Sequence, residues 1–164
     1  MKKSKLVLSA LGAAAAANAV HAAVFKPKKS VIASLTKEEV NVERYRQNLS
    51  KAIQFKTISN RDADLVDWNE FEKFHKFLDE AYPLIAKNLE KTVVPPANLV
   101  YRWKGKRSDL DGVALLAHQD VVPVSEGTEE DWTHPAFDGV DDGEFVWGRG
   151  ALDMKNHLIC VMEA

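Results

Sequence analysis

His118 and Asp120 stand two residues apart in Ala117-His118-Gln119-Asp120-Val121-Val122-Pro123, directly behind the apolar run Gly112-Val113-Ala114-Leu115-Leu116-Ala117. The run reads as a buried strand, and side chains two apart on a strand leave from the same side. The carboxyl edge of a sheet is where α/β proteins place their ligands. A neutral imidazole there is a natural zinc ligand. Asp120 either accepts the hydrogen bond of the second ring nitrogen or stands close enough to position catalytic groups. The same residues also fit a satisfied histidine beside a turn aspartate, and an isolated His-x-Asp does not separate the two.

A second polar cluster follows in Gly148-Arg149-Gly150-Ala151-Leu152-Asp153-Met154-Lys155, leading from a strand into a helix that should run from Ala151 to Ala164. The glycines allow a tight turn. Asp153 at a helix start has a bland explanation, N-capping in the favourable field of the helix dipole. Its functional alternative is a carboxylate that bridges two divalent cations. Lys155 reads as a partner in a surface or structural ion pair, and Arg149 as an anchor for the turn. Between the clusters, Trp132 and Phe137 should pin a loop to the core, with His134 structural. His157 lies four residues beyond Asp153, on the same helix face if the helix starts where expected. Cys160 is the only cysteine, so no intrachain disulfide forms, and its apolar neighbours place it in the core.

The elements that must carry these groups are legible in outline. Thr36 and Glu39 form a capping box that opens a helix through about Phe55, with Val40, Tyr45, Leu49, Ala52 and Ile53 as its stripe. A longer helix from Asp64 or Asp67 towards Leu89 places Trp68, Phe71, Phe74, Leu78, Tyr82, Ile85 and Leu89 on one face. Pro83 kinks or divides it. His75 falls beside that stripe, as surface or boundary packing. Asn98 to Lys104 has strand composition, and Val140 to Trp147 reads as a hairpin turning at Asp142-Gly143. The fold class is α/β.

At 164 residues the chain holds one domain with a real core, and 28% charged residues do not indicate disorder. The net charge of -2, with no basic stripe, gives no reason to expect nucleic acid, and no nucleic-acid partner is expected. Lys2, Lys3 and Lys5 precede an apolar stretch from Leu6 to Ala17, with small residues at Ala17-Asn18-Ala19 and Val20-His21-Ala22. That pattern is a cleaved secretory leader, residues 1–22, followed by a linker over 23–35. Its apolar part of about 12 residues is short of the roughly 20 that span a bilayer, so no stable membrane anchor is expected. Cleavage after Ala22 leaves 19 basic against 24 acidic residues, a mildly acidic protein that is periplasmic or secreted.

In order along the chain, Leu115 to Val124, Trp132 to Phe137, Asp142-Gly143 and Trp147 to Lys155 together resemble one family. It is the co-catalytic dizinc peptidases of family M-twenty, the group of carboxypeptidase S, aminoacylase-1 and succinyl-diaminopimelate desuccinylase. The likeness is strong from about Asp111 to Ala164 and less diagnostic from Val42 to Trp103. It implies that His118 binds one of two zinc ions, that Asp153 bridges both, and that Asp120 orients His118. It implies an incomplete zinc-peptidase catalytic domain over 36–164, with a mixed central sheet flanked by helices. The family's general-base glutamate and remaining ligands have no counterpart here, and Glu163 is an isolated acid. The activity implied is hydrolysis of peptide or N-acyl-amino-acid amides by metal-activated water. This stretch alone would be inactive, and a homodimer stays open. Two other readings are a non-enzymatic remnant with weak metal binding and a periplasmic ligand-binding module.

Overall fold

The computed structural model describes residues 2–25 and 40–164. The chain divides into two units, Met1–Glu38 and Glu39–Ala164. In the first, helix α1 spans Lys2–Val24, built on an alanine run that has the strongest intrinsic helix preference. It continues past Ala22, the expected cleavage position. Among the described residues, no helix is long and apolar enough to cross a membrane. The linker from residue 26 onward and the Thr36–Glu39 capping box lie outside the described residues.

In the second unit, α2 covers Val42–Ile53. It does not reach back to the capping box, because residues 40 and 41 are non-helical and the Asn41 side chain caps the helix by accepting from the Arg44 N–H. Val40 is therefore 66% exposed and is not in the apolar stripe. Leu49, Ala52 and Ile53 are buried from this helix.

The predicted long helix is two helices. Helix α3 spans Trp68–Ala81, capped by the Asp67 carboxylate, and α4 spans Pro83–Asn88 with the proline at its first turn. A proline lacks the N–H that the preceding turn would need, so the break falls at Tyr82. Phe71, Phe74 and Leu78 turn inward from α3 as their spacing requires, and His75 is buried with them. One core cluster joins Leu49, Ala52 and Ile53 with Phe74, Leu78, Tyr82 and Ile159. Each large side chain wholly removed from water there contributes about 1.5–3 kcal/mol.

The expected mixed central sheet is not present among the described residues; the sheet has two strands. Strand β1, Glu90–Val94, follows directly on the region expected to be helical to Leu89 and has no counterpart in the sequence pattern. It pairs antiparallel with β2, Asn98–Arg102, in the register Lys91↔Tyr101 and Val93↔Leu99. Lys91 fastens the hairpin to α3 through both carboxylate oxygens of Asp79, each at 2.7 Å. The Pro95–Pro96 and Asp153–Met154 peptide bonds are cis.

The run from Gly112 to Ala117 is not a buried strand. It has no ladder partner among the described residues, and Val113 is 90% and Leu116 79% exposed. Apolar composition signals a strand that is covered, but a strand forms only where a neighbour supplies hydrogen bonds. Pairing begins at Val121, which bridges Ile58 in parallel through Val121 N–H to Thr57 O at 2.9 Å and Ser59 N–H to Val121 O at 3.0 Å.

The Asp142-Gly143 turn forms as expected, with Asp141 bridging Val146 and the Trp147 N–H donating to Val140 O at 2.8 Å. The last helix, α5, starts five residues later than predicted and spans Asn156–Glu163. Asp153 and Met154 hold non-helical backbone angles, so Asp153 is not its N-cap. Cys160 is exposed and does not pack in the core.

Candidate functional site

His118 and Asp153, 35 residues apart in sequence, meet with the imidazole Nε2 and carboxylate Oδ1 at 2.9 Å. The other ring nitrogen, Nδ1, lies 3.0 Å from the carbonyl oxygen of Asp120 and 3.3 Å from its carboxylate. Asp120 thus faces the second nitrogen, with its main-chain oxygen nearer than its side chain. Both ring nitrogens face oxygen acceptors, so a neutral imidazole leaves one of the contacts without a proton. Partial burial of the ring lowers its pKa, but the Asp153 and Asp120 contacts outweigh that, and the pKa is raised above the usual histidine value. A proton on Nε2 makes the contact with Oδ1 an ordinary hydrogen bond, and a metal ion could stand in that proton's place between the two donors.

The sequence around His118 is held from its flanks. Residues 118 and 120 leave one side of the extended chain and Gln119 the other. The Gln119 Oε1 meets His75 Nε2 at 2.8 Å, its amide donates to the Ala97 carbonyl, and its own carbonyl accepts from Thr57 Oγ1 at 2.6 Å. His75 is 9% exposed and so is buried, where the sequence predicts surface or boundary packing, and burial lowers its pKa. Its pairing with Gln119 was not foreseen, and nothing in the spacing signals it.

Asp153 is delivered by the turn Gly148-Arg149-Gly150. Gly150 has φ of 80°, and a Cβ there would collide with the Val121 side chain. The turn is therefore drawn against the segment that carries His118, and only glycine admits that approach. Arg149 holds the turn through its backbone N–H to Ala136 O at 2.6 Å and its guanidinium over Trp132 at 5.0 Å, and not through its side-chain donors as expected, since its Nε has no acceptor among the described residues. Phe137 packs under Lys56 at 5.6 Å, and His134 meets Trp147 edge-on at 5.2 Å.

Lys155 is the main correction near the site. Among the described residues it forms no ion pair, and it is 0% exposed. Its ammonium donates to Ala52 O at 2.8 Å and Phe55 O at 2.7 Å, carbonyls at the end of α2, and lies 5.1 Å from the Phe74 ring centre. Burial pushes its pKa down to about 7. A lysine inside an otherwise polar cluster reads as exposed, so sequence gave no signal of this role.

Glu163 is also fully engaged. It accepts from Tyr82 Oη at 2.9 Å, Asn48 Nδ2 at 2.9 Å and Arg44 Nε at 2.7 Å, which ties α5 to α2 and to the break between α3 and α4. Burial raises its pKa, but these donors prevail and hold it below the ordinary value. His157 is exposed. Among the described residues, no group of three histidine, cysteine or acidic side chains closes on one metal position. The donors present nevertheless suit zinc. The Nε2 of His118 is aimed by its Nδ1 contact, and the Asp153 carboxylate is 88% exposed with a second oxygen to offer.

A histidine and a carboxylate, joined from two turns and poised for a cation, define a candidate metal-dependent site. Residues 114–164, which contain both, match Peptidase family M20/M25/M40. Over 120 residues the chain is 40% identical to the probable carboxypeptidase S-like 2 of Dictyostelium discoideum, covering 72% of this chain and 23% of that protein. It is 39% identical over 125 residues to carboxypeptidase S of Saccharomyces cerevisiae, covering 72% and 22%. With the mouse N-fatty-acyl-amino acid synthase/hydrolase PM20D1 it shares 31% over 121 residues, covering 73% and 23%. The chain belongs to this peptidase family, among its carboxypeptidase S-like members. It spans about a quarter of the length of these curated relatives.

Proposed function

We propose that this chain carries part of the active site of a zinc-dependent hydrolase that cleaves peptide or N-acyl-amino-acid amides. The observation that carries the reading is the 2.9 Å approach of His118 Nε2 to Asp153 Oδ1 inside the segment that matches the family. His118 and Asp153 would hold zinc, and Asp120 would orient the imidazole. Zinc in such a site supplies Lewis acidity and a water of lowered pKa. The chain's own residues do the positioning. Asp120 O keeps the proton on Nδ1 so that Nε2 faces the cation, and Gln119 fixes the backbone between them.

Two donors are half of a tetrahedral zinc set, so the affinity of this chain alone should be modest. Calorimetric zinc titration of the chain should show saturable binding that His118→Ala removes. Binding unchanged by His118→Ala, or no binding at all, would end the proposal. The lysine-led, alanine-rich N-terminus further supports export of the protein to the periplasm or outside the cell. Expression in a bacterium should yield an exported product lacking residues 1–22, and a full-length cytoplasmic product would refute this.

A further inference from the structure

We propose that His75 is a positioning residue for the metal site: acting through Gln119, it holds the His118 imidazole in the orientation that turns Nε2 towards Asp153. The inference rests on the metal-site reading above and adds a residue on α3 that itself holds neither zinc nor substrate. The other buried members of that helix face, Phe71, Phe74 and Leu78, are apolar. A polar ring among them is costly unless it is bonded, and the Nε2 of His75 meets Gln119 Oε1 at 2.8 Å. The direction of this bond follows from its far end. The Ala97 carbonyl can only accept, so Gln119 gives it the amide nitrogen and turns Oε1 to His75. Oε1 also only accepts, so His75 must carry a proton on Nε2. Burial favours the neutral ring, which leaves one tautomer.

Gln119 is thereby gripped from three elements. His75 belongs to α3, Ala97 to the turn between β1 and β2, and Thr57 to the segment beyond α2. Thr57 is wholly buried, and its hydroxyl donates to the Gln119 carbonyl at 2.6 Å. The side chains of residues 118 and 120 leave the opposite side of the extended chain. Rotation of the chain about its own axis would swing His118 away from Asp153, and the Gln119 side chain is the lever that resists it. Downstream, Val121 is fixed by its backbone bonds to Thr57 and Ser59. Upstream, Gly112 to Ala117 has no ladder partner among the described residues, so no ladder on that side sets the rotation. The grip on Gln119 therefore decides where the imidazole points.

The test uses the whole, metal-free chain labelled with ¹³C and ¹⁵N. Three-bond couplings to the His118 Cγ report its χ1 angle and should show one rotamer. His75→Phe keeps the aromatic bulk without the donor, and the couplings should then average over rotamers with circular dichroism unchanged. His75→Gln places an amide N–H where Nε2 stood and should restore the single rotamer. Gln119→Met breaks the same link from its other end and should average the couplings likewise. Calorimetric zinc affinity should fall by about threefold in His75→Phe, below the usual effect of losing a partner of the ligating histidine itself, and recover in His75→Gln. Averaged couplings in the wild type, wild-type couplings or zinc affinity in His75→Phe, no recovery in His75→Gln, or loss of the fold in both His75→Phe and Gln119→Met would overturn the assignment. The expected couplings in a chain that binds no zinc would instead sink the hydrolase reading alone.

Discussion

Replacing Lys155 with methionine keeps the buried aliphatic stem and removes two hydrogen bonds to the end of α2. The acceptors, Ala52 O and Phe55 O, lose donors at 2.8 and 2.7 Å. They are not left bare, because Phe55 N–H reaches Ala52 O at 3.3 Å and Thr57 N–H reaches Phe55 O at 2.9 Å. Each lost bond therefore falls at the low end of the usual range, about 1 kcal/mol, for a total of about 2 kcal/mol. Burial depresses the amine's pKa to about 7, well below its unfolded value. Between those two values the unfolded chain binds more protons than the folded one, so wild-type stability rises with pH from 7 upward. Lys155→Met lacks that slope, and the deficit should be larger at pH 9 than at pH 6. Urea unfolding at pH 9 should show the midpoint lowered by about 1 M with the slope unchanged. A loss under about 0.5 kcal/mol at pH 9, or the same loss at both pH values, would refute the burial argument.

Asp153→Asn should weaken zinc binding more than Asp120→Asn, because Asp153 faces the free Nε2 whereas Asp120 acts through Nδ1; calorimetry giving the reverse order would invert the roles. Asp120→Asn itself should lower affinity by less than about tenfold, below the usual effect of losing a group that orients a metal-binding histidine, because the main-chain oxygen nearest Nδ1 is retained. Gly150→Ala forces a Cβ against Val121 at positive φ, so it should destabilise the chain by about 2–4 kcal/mol and weaken zinc binding; a neutral thermal-unfolding result would show that the turn relaxes. Asp142 accepts from Phe145 N–H, the Trp147 indole and Glu144 N–H, which hold its pKa at about 2, down from 3.8. Its contribution is full above the unfolded value and fades as pH falls from 3.8 towards 2, so Asp142→Asn should flatten the acid limb of the stability curve, seen by tryptophan fluorescence. An unchanged acid limb would remove the turn from that account.

Local pattern decided much of this protein. The three- and four-residue spacing of Phe71, Phe74, Leu78 and Tyr82 predicts α3 and its buried face, and Pro83 predicts the break. Asp142-Gly143 predicts its turn, and the His118 and Asp153 phrases were enough to bring the family into view. These signals are local because each depends on side-chain period, φ or a missing N–H within a few residues. Tertiary structure decided what depends on distant partners. Gly112 to Ala117 has strand composition yet no neighbour to pair with, while Glu90 to Val94 becomes a strand because β2 returns beside it. Lys155 is polar by type and buried by circumstance, since only the fold brings the Ala52 and Phe55 carbonyls to it. The contact of His118 with Asp153 is of the same kind. Sequence names both residues, but the glycine turn pressed against Val121 is what closes 35 positions to 2.9 Å.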